Sequence, residues 1–368
     1  MNKKDTIPDN ELLTSNQVTF LIVGIAIGAG FIKLPNVLVK HAYQDAWASA
    51  LIGLIYPLYI LLISNYIIKK YPDKNILQIN REFFGNILGN VLNILFMIPL
   101  SFFIFSVTSD YMKVVITYIV AFLTQKKVLS ISLLIVAYTA YKGLKPLSKI
   151  NEYVGYIILI MILFSGAAIK YGSIMNLKPV LQAPIKDILK GSIDSLYFFT
   201  AFESLLLYHN RVKDKSSIKK ASFKGLLIST IVWIWSILIT IYYLGVDIIP
   251  KSNWSFLMVF ESIHLPIINN FRYVFMFAWT LICLRIVGNF YYFTSFILSD
   301  VTKLDRKKIC IALYIPVLFI TNKLGDSIVR EKLITLLSPI FVIFNICFLT
   351  ILAFIVYFKS KKTTNQNN

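Results

Sequence analysis

The sequence predicts an all-α integral membrane protein with ten transmembrane helices. Three observations carry that reading. First, 57% of the 368 residues are hydrophobic and 15% are charged, whereas a soluble domain carries roughly 25% charged residues. No ordinary core hides that much apolar surface, so a soluble globular protein is excluded. Second, the roughly 210 apolar side chains match the requirement of ten spans of about 21 residues each. Third, the charge is patterned. Of 37 Lys and Arg residues, 22 fall in segments on one side of the spans, 12 on the other and three within spans. The net charge of +19 is therefore largely a positive-inside signal. A nucleic-acid binder would gather its basic residues on one patch, whereas here they stand in short runs between apolar segments.

Residues 1–17 form a polar cytoplasmic N-terminus with Asp5, Asp9 and Glu11. They lack a signal-peptide cleavage pattern, so the first apolar segment is expected to stay as a span. Spans are expected at about 18–39, 46–68, 88–120, 128–141, 153–169, 192–208, 223–245, 271–298, 309–322 and 332–358. The third is long enough to tilt or protrude; the fourth and ninth are short. The link 71–85, with Ile76, Leu77, Ile79, Phe83 and Phe84, is amphipathic and expected along the membrane face. Residues 254–264 share that character. The 22:12 split places both termini inside and requires an even number of spans. Residues 18–358 are thus one membrane domain, and 359–368 are expected as a short disordered cytoplasmic tail.

The three cysteines, Cys283, Cys310 and Cys347, lie in apolar stretches without CxxC spacing, which argues against a disulfide framework or a zinc site. His41, His209 and His264 fall at span ends or in loops with no metal-ligand spacing. The sequence has no P-loop, GxSxG elbow or HExxH motif. No cofactor, metal or catalytic centre is expected. Coupling, if the protein transports, must use an ion gradient.

The first span reads Gly28-Ala29-Gly30-Phe31-Ile32-Lys33-Leu34-Pro35. Two glycines remove side chains and Pro35 removes a backbone donor. Unpaired backbone in a bilayer is tolerated where it lines a cavity or is buried in protein; close helix packing of small residues is the other reading. The segment resembles the G-S/A-G-I-F-x-L-P signature on the first helix of the amino acid–polyamine–organocation transporter superfamily, with Phe31 and Ile32 transposed. That resemblance implies two five-helix repeats of inverted topology, about 18–169 and 192–358, with the first and sixth helices broken at mid-membrane. In the sixth span, Phe199-Thr200-Ala201-Phe202-Glu203 has Thr200 and Ala201 where the superfamily would carry glycine. Such breaks assign Gly28, Ala29, Gly30, Phe31, Phe199, Thr200, Ala201 and Glu203 to a ligand site.

Within the superfamily the chain resembles the spore germination permeases, the B subunits of nutrient germinant receptors. The resemblance rests on the size, the ten spans, Leu13-Thr14-Ser15-Asn16-Gln17 before the broken helix, the Phe202-Glu203 pair and the short tail. It implies a nutrient-sensing subunit of the cell membrane and inner spore membrane. It further implies binding of a small germinant, an amino acid or a related polar nutrient, with A-type and C-type receptor subunits as partners. An amino acid permease acting alone, coupled to protons or sodium, uses the same fold.

Charges inside spans are costly and mark functional or structural sites. Glu203 is suited to an ammonium group, a proton or freed backbone amides, or to a structural pair. Arg285 needs a carboxylate, carbonyls or water, and Glu203 is the expected partner by depth. Lys33 either meets an anion beside the cavity or snorkels outward. Asp110 and Lys113, three apart on the third span, share a helix face; they form an outer ion pair, or Asp110 reaches the pocket, to which the superfamily's third helix contributes.

Overall fold

The structure, a computed structural model, describes residues 8–263 and 270–366, with side chains to Ser360. Among the described residues every regular element is helical. In order the α-helices are α1 Ser15–Ala26, α2 Leu34–Ala42, α3 Ala46–Gly53, α4 Ile55–Lys70, α5 Ile76–Tyr118, α6 Gln125–Lys142, α7 Leu144–Ser165 and α8 Ile185–Ser195. They continue with α9 Leu205–Tyr208, α10 Ile218–Leu244, α11 Ser255–Val259, α12 Arg272–Thr302, α13 Arg306–Ala312, α14 Tyr314–Lys323 and α15 Ser327–Gln366.

Local chemistry sets the helix starts. The Thr14 hydroxyl accepts from the Gln17 amide at 3.3 Å, and Gln17 Oε1 accepts from the Thr14 amide at 3.1 Å. Asn75 and Gln78 repeat this reciprocal cap before α5. Each pair satisfies donors that a first helical turn leaves open. Gly85, at φ 75° and ψ 174°, bends α5; that backbone conformation is essentially restricted to glycine. The bend sets the amphipathic stretch 76–84 off from the long apolar remainder.

Among the described residues, six helical runs are long and apolar enough to cross a membrane: Leu34–Lys70, Ile76–Tyr118, Leu144–Lys170, Lys215–Leu244, Arg272–Thr302 and Ser327–Ser360. The other expected spans are helical but interrupted or short. The first breaks after Ala26 and the sixth around Thr200; the fourth is the 18-residue α6, and the ninth divides at Leu313 into α13 and α14. Helix α12 packs against α5, α6 and α7; α1 packs against α7 and α10; α15 packs against α4 and α5. The interior holds polar residues such as Asn80, Asn93, Asn151 and Asn289, whereas Ile87, Leu88, Val91, Ile94, Leu95 and Ile98 form an exposed stripe on α5. An apolar exterior of this kind is the arrangement that hydrocarbon, not water, stabilises.

Three expectations are corrected. The polar link after the fourth span shrinks to Gly143 (φ 106°), and α7 starts at once. Lys145, expected in a loop, lies in the first turn of α7, and its ammonium reaches the Leu12 carbonyl and Gln17 Oε1. Residues 254–263 do not lie along a membrane face. Phe256, Leu257, Val259 and Phe260 are buried, because their apolar side meets Phe31 and Phe275 instead of lipid; His264 lies outside the described residues. The tail expected to be disordered extends α15 to Gln366, since adding a residue to an existing helix costs far less than starting one.

Candidate functional site

The first break opens where α1 ends. Ile27 turns to φ −100°, ψ 105° and Gly28 is extended. A short 3₁₀ turn, Ala29–Ile32, leads to α2, where Pro35 occupies the first turn and its missing N–H costs nothing. The second break follows Leu196–Phe199. Thr200 is extended and Ala201 is left-handed at φ 75°. No glycine is needed: the Thr200 hydroxyl donates to the Tyr197 carbonyl at 3.0 Å, which occupies an acceptor freed by the break.

The two breaks face each other across one cavity. Gly28, Ala29, Gly30 and Phe31 line one side; Tyr197, Phe198 and Thr200 line the other. Ile25 and Ala26 of α1, Phe103 and Val107 of α5, Trp233 of α10, and Ile286 and Phe290 of α12 complete it. Phe103 packs on both Phe290 (5.3 Å between ring centres) and Tyr197 (5.5 Å). The glycines are there for approach. A Cβ on Gly28 would stand 2.5 Å from Ile286 Cδ1, and one on Gly30 would stand 2.5 Å from Phe198 Cε1. The space left for the centre of a water molecule is about 30 Å³, enough for a water or two.

Five of the residues assigned from sequence therefore line the cavity, and four stand outside the lining. Phe199 packs on Trp233, 4.3 Å between ring centres. Ala201 is buried behind the break. Glu203 is 2% exposed; its Oε1 accepts from Asn345 Nδ2 at 2.8 Å, and that amide also reaches the Tyr56 hydroxyl at 3.3 Å. Its Oε2 has no hydrogen-bond partner among the described residues. Asp110 lies on the far part of α5.

The expected ion pairs are not those formed. Arg285 does not pair with Glu203: its Nη2 donates to the Ile27 carbonyl at 2.6 Å, because a helix C-terminus concentrates negative potential where a guanidinium can reach it. Asp110 pairs with Arg330 at 2.7 Å and not with Lys113, which donates to Ser327 Oγ at 2.6 Å. Lys33 meets an anion, Glu331, at 2.7 Å. Arg330 and Glu331, at the start of α15, were not singled out in sequence because they sit in an ordinary-looking charged loop. Nor were Tyr197, Phe198, Phe103, Trp233 and Phe290, since aromatics abound throughout the chain.

Contacts bridge the helices on either side of the cavity. Lys33–Glu331 and Asp110–Arg330 join residue 33, α5 and α15 at one end. At the other end the Leu13 amide donates to the Arg211 carbonyl at 2.8 Å, the Lys213 amide donates to the Leu13 carbonyl at 3.0 Å, and Arg81 pairs with Asp300.

Residues 12–328 match the spore germination protein family. The chain belongs to that family. Spore germination protein GerQB of Bacillus cereus is 25% identical over 238 residues, which is 64% of this chain and 66% of the relative. Spore germination protein YndE of Bacillus subtilis (strain 168) is 24% identical over 241 residues, 64% and 65% of the two chains. Spore germination protein KB of the same strain is 22% identical over 253 residues, 66% and 65%. The chain thus spans just under two thirds of the length of these relatives. Among solved structures, MhsT in complex with L-phenylalanine superposes with a TM-score of 0.62 at 14% identity, covering 83% of this chain and 78% of MhsT. The spore germination chain therefore has a transporter-type helical fold, and its apolar runs make it a multi-pass membrane protein.

Proposed function

We propose that the chain is the B-type, membrane-embedded subunit of a nutrient germinant receptor. It binds a small germinant, an amino acid or a related polar nutrient, in the cavity between the two breaks. Occupancy shifts the conformational equilibrium and passes the shift to A-type and C-type subunits of the inner spore membrane, without catalysis. In this reading residues 18–358 form ten spans in two inverted five-helix repeats, about 18–169 and 192–358, with both termini cytoplasmic. The observation that carries the proposal is the convergence of Gly28–Phe31 and Thr200 on one cavity. Broken helices supply both signs of potential for a zwitterion: half-helix N-termini for a carboxylate and, at the second break, a carbonyl end for an ammonium. Tyr197, Phe198 and Phe103 supply an apolar wall, and the small free volume requires the site to open before a germinant binds. Glu203 acts behind the break, on the part of the sixth span that must move.

The test is a nutrient-response screen in spores lacking, then regaining, this gene. Restored response to a nutrient supports the reading, and Gly30→Val should abolish it at normal protein level. Glu203→Gln should weaken the response. An unchanged response removes Glu203 from the mechanism. Robust amino-acid uptake by the purified chain alone in liposomes would instead establish an autonomous permease and overturn the pure-sensor reading.

A further inference from the structure

A charge inside the fold is left over from this account. Arg285 is 2% exposed in mid-α12, and among the described residues no carboxylate lies within ion-pair distance of it. Its single hydrogen bond runs from Nη2 to the carbonyl of Ile27, the residue that caps α1; Nε and Nη1 have no partner. The surroundings hold this geometry. Asn289, one turn further along the same face of α12, exchanges two hydrogen bonds with Asn151 of α7, and this amide pair abuts Gly24 of α1. Gly28, directly after Ile27, packs on Ile286. The guanidinium is therefore clamped against the carbonyl end of the first half-helix, next to the cavity lining.

Such a carbonyl end is negative and stripped of water, and broken-helix transporters use it to hold a mobile sodium ion or proton. Here a side chain that stays charged at any physiological pH is already there. We propose that Arg285 is a built-in cation at the first break, standing where a mobile coupling cation would be held, so that this chain binds its ligand without sodium. The positive charge does not leave during a cycle, which suits a sensor that changes state more than a carrier driven by a sodium gradient. The proposal takes the ligand-binding reading of the cavity as its setting, but its test uses no ligand.

Purified full-length protein is unfolded thermally in sodium chloride and in choline chloride at the same ionic strength, about 0.1 M. The midpoints are expected to agree within about 1 °C; a saturable, sodium-specific rise of about 3 °C or more overturns the proposal. Arg285→Ala is expected to lower the midpoint and to make it rise with sodium, and Arg285→Lys to keep both the midpoint and the indifference to sodium. An alanine variant as stable as the parent and still indifferent to sodium also overturns it. If the alanine variant does not accumulate, the parent and lysine comparisons decide. A negative nutrient screen would count against the ligand-binding reading alone.

Discussion

At Gly24 the required side chain is none at all. A Cβ there would fall 1.7 Å from Asn151 Oδ1 and 3.0 Å from Asn289 Nδ2, inside a fully buried amide pair with bonds of 2.7 and 2.9 Å. Gly24→Ala must separate the amides and leave buried groups unpaired, a loss of about 2–3 kcal/mol in unfolding free energy. The same change in an Asn151→Ala background should cost less; an equal cost would show that the clash is not the cause. His209, one residue past the sixth span, is fully buried. Its Nε2 donates to the Tyr71 carbonyl at 3.1 Å, and burial holds the imidazole below its ordinary pKa. The folded state therefore takes up this proton less readily than the unfolded state. The stability that His209 contributes is complete above about pH 6.5 and is lost as pH falls towards the depressed folded value. His209→Gln should flatten the stability profile in that acidic window, measured by thermal unfolding against pH. A profile parallel to the parent's would assign the acid sensitivity to other groups.

The two broken helices differ in how openly the chain announces them. Gly28, Gly30 and Pro35 declare the first break, since two residues lack side chains and one lacks a donor. The second is made by Thr200 and Ala201, and nothing about alanine forecasts φ 75°; packing of the surrounding helices imposes it. Left-handed backbone costs roughly 1–2 kcal/mol for a residue with a Cβ. Ala201→Gly is therefore expected to leave stability unchanged or slightly raised, and Ala201→Val to lower it by more than about 2 kcal/mol. If Gly and Val behave alike in chemical unfolding, the break is not strained at this position. Gly85 isolates the backbone contribution. A Cβ there meets nothing within 4 Å, so Gly85→Ala should cost about 1–3 kcal/mol from conformation alone. The same contrast explains the ion pairs. Asp110 and Lys113 are neighbours on one helix, which sequence displays, but their partners Arg330 and Ser327 arrive from the last helix. Likewise Arg285 and Glu203 matched in depth, yet one turned to a carbonyl and the other to Asn345. Partners remote in sequence are fixed by the packing of helices, which one chain's residue pattern does not encode legibly.

Across the whole molecule, contacts bridge the helices at both ends of the cavity, and in the proposed reading this narrow state, with room for a water or two, exchanges with a wider one that admits a germinant. The end bearing Lys33–Glu331 and Asp110–Arg330 is the outer one in the proposed orientation. These two pairs should not contribute equally. Lys33 and Glu331 are partly solvated, with side-chain exposures of 27% and 58%, so the pair is worth about 0–1 kcal/mol after screening. Arg330 is 3% exposed and Asp110 18%, so loss of the carboxylate leaves a nearly buried guanidinium without a counter-charge, held only by the Leu324 carbonyl at 3.2 Å and the Ser327 hydroxyl at 3.3 Å, a larger penalty on the closed state. Opening can be read with Thr200→Cys on the cavity wall, in a Cys347→Ser background because Cys347 is exposed while Cys283 and Cys310 are buried. A membrane-impermeant maleimide added outside should label the parent slowly. Glu331→Gln should raise the labelling rate up to about fivefold and Asp110→Asn by more than about tenfold, since about 1.4 kcal/mol of lost closure energy changes the open population tenfold. High salt should bring the parent towards the Glu331→Gln rate and leave the gap to Asp110→Asn largely intact, because screening reaches solvated charges and spares buried ones. Equal rates in all three proteins would separate these pairs from the closure and move the barrier to the aromatic layer of Phe31, Phe256 and Phe275.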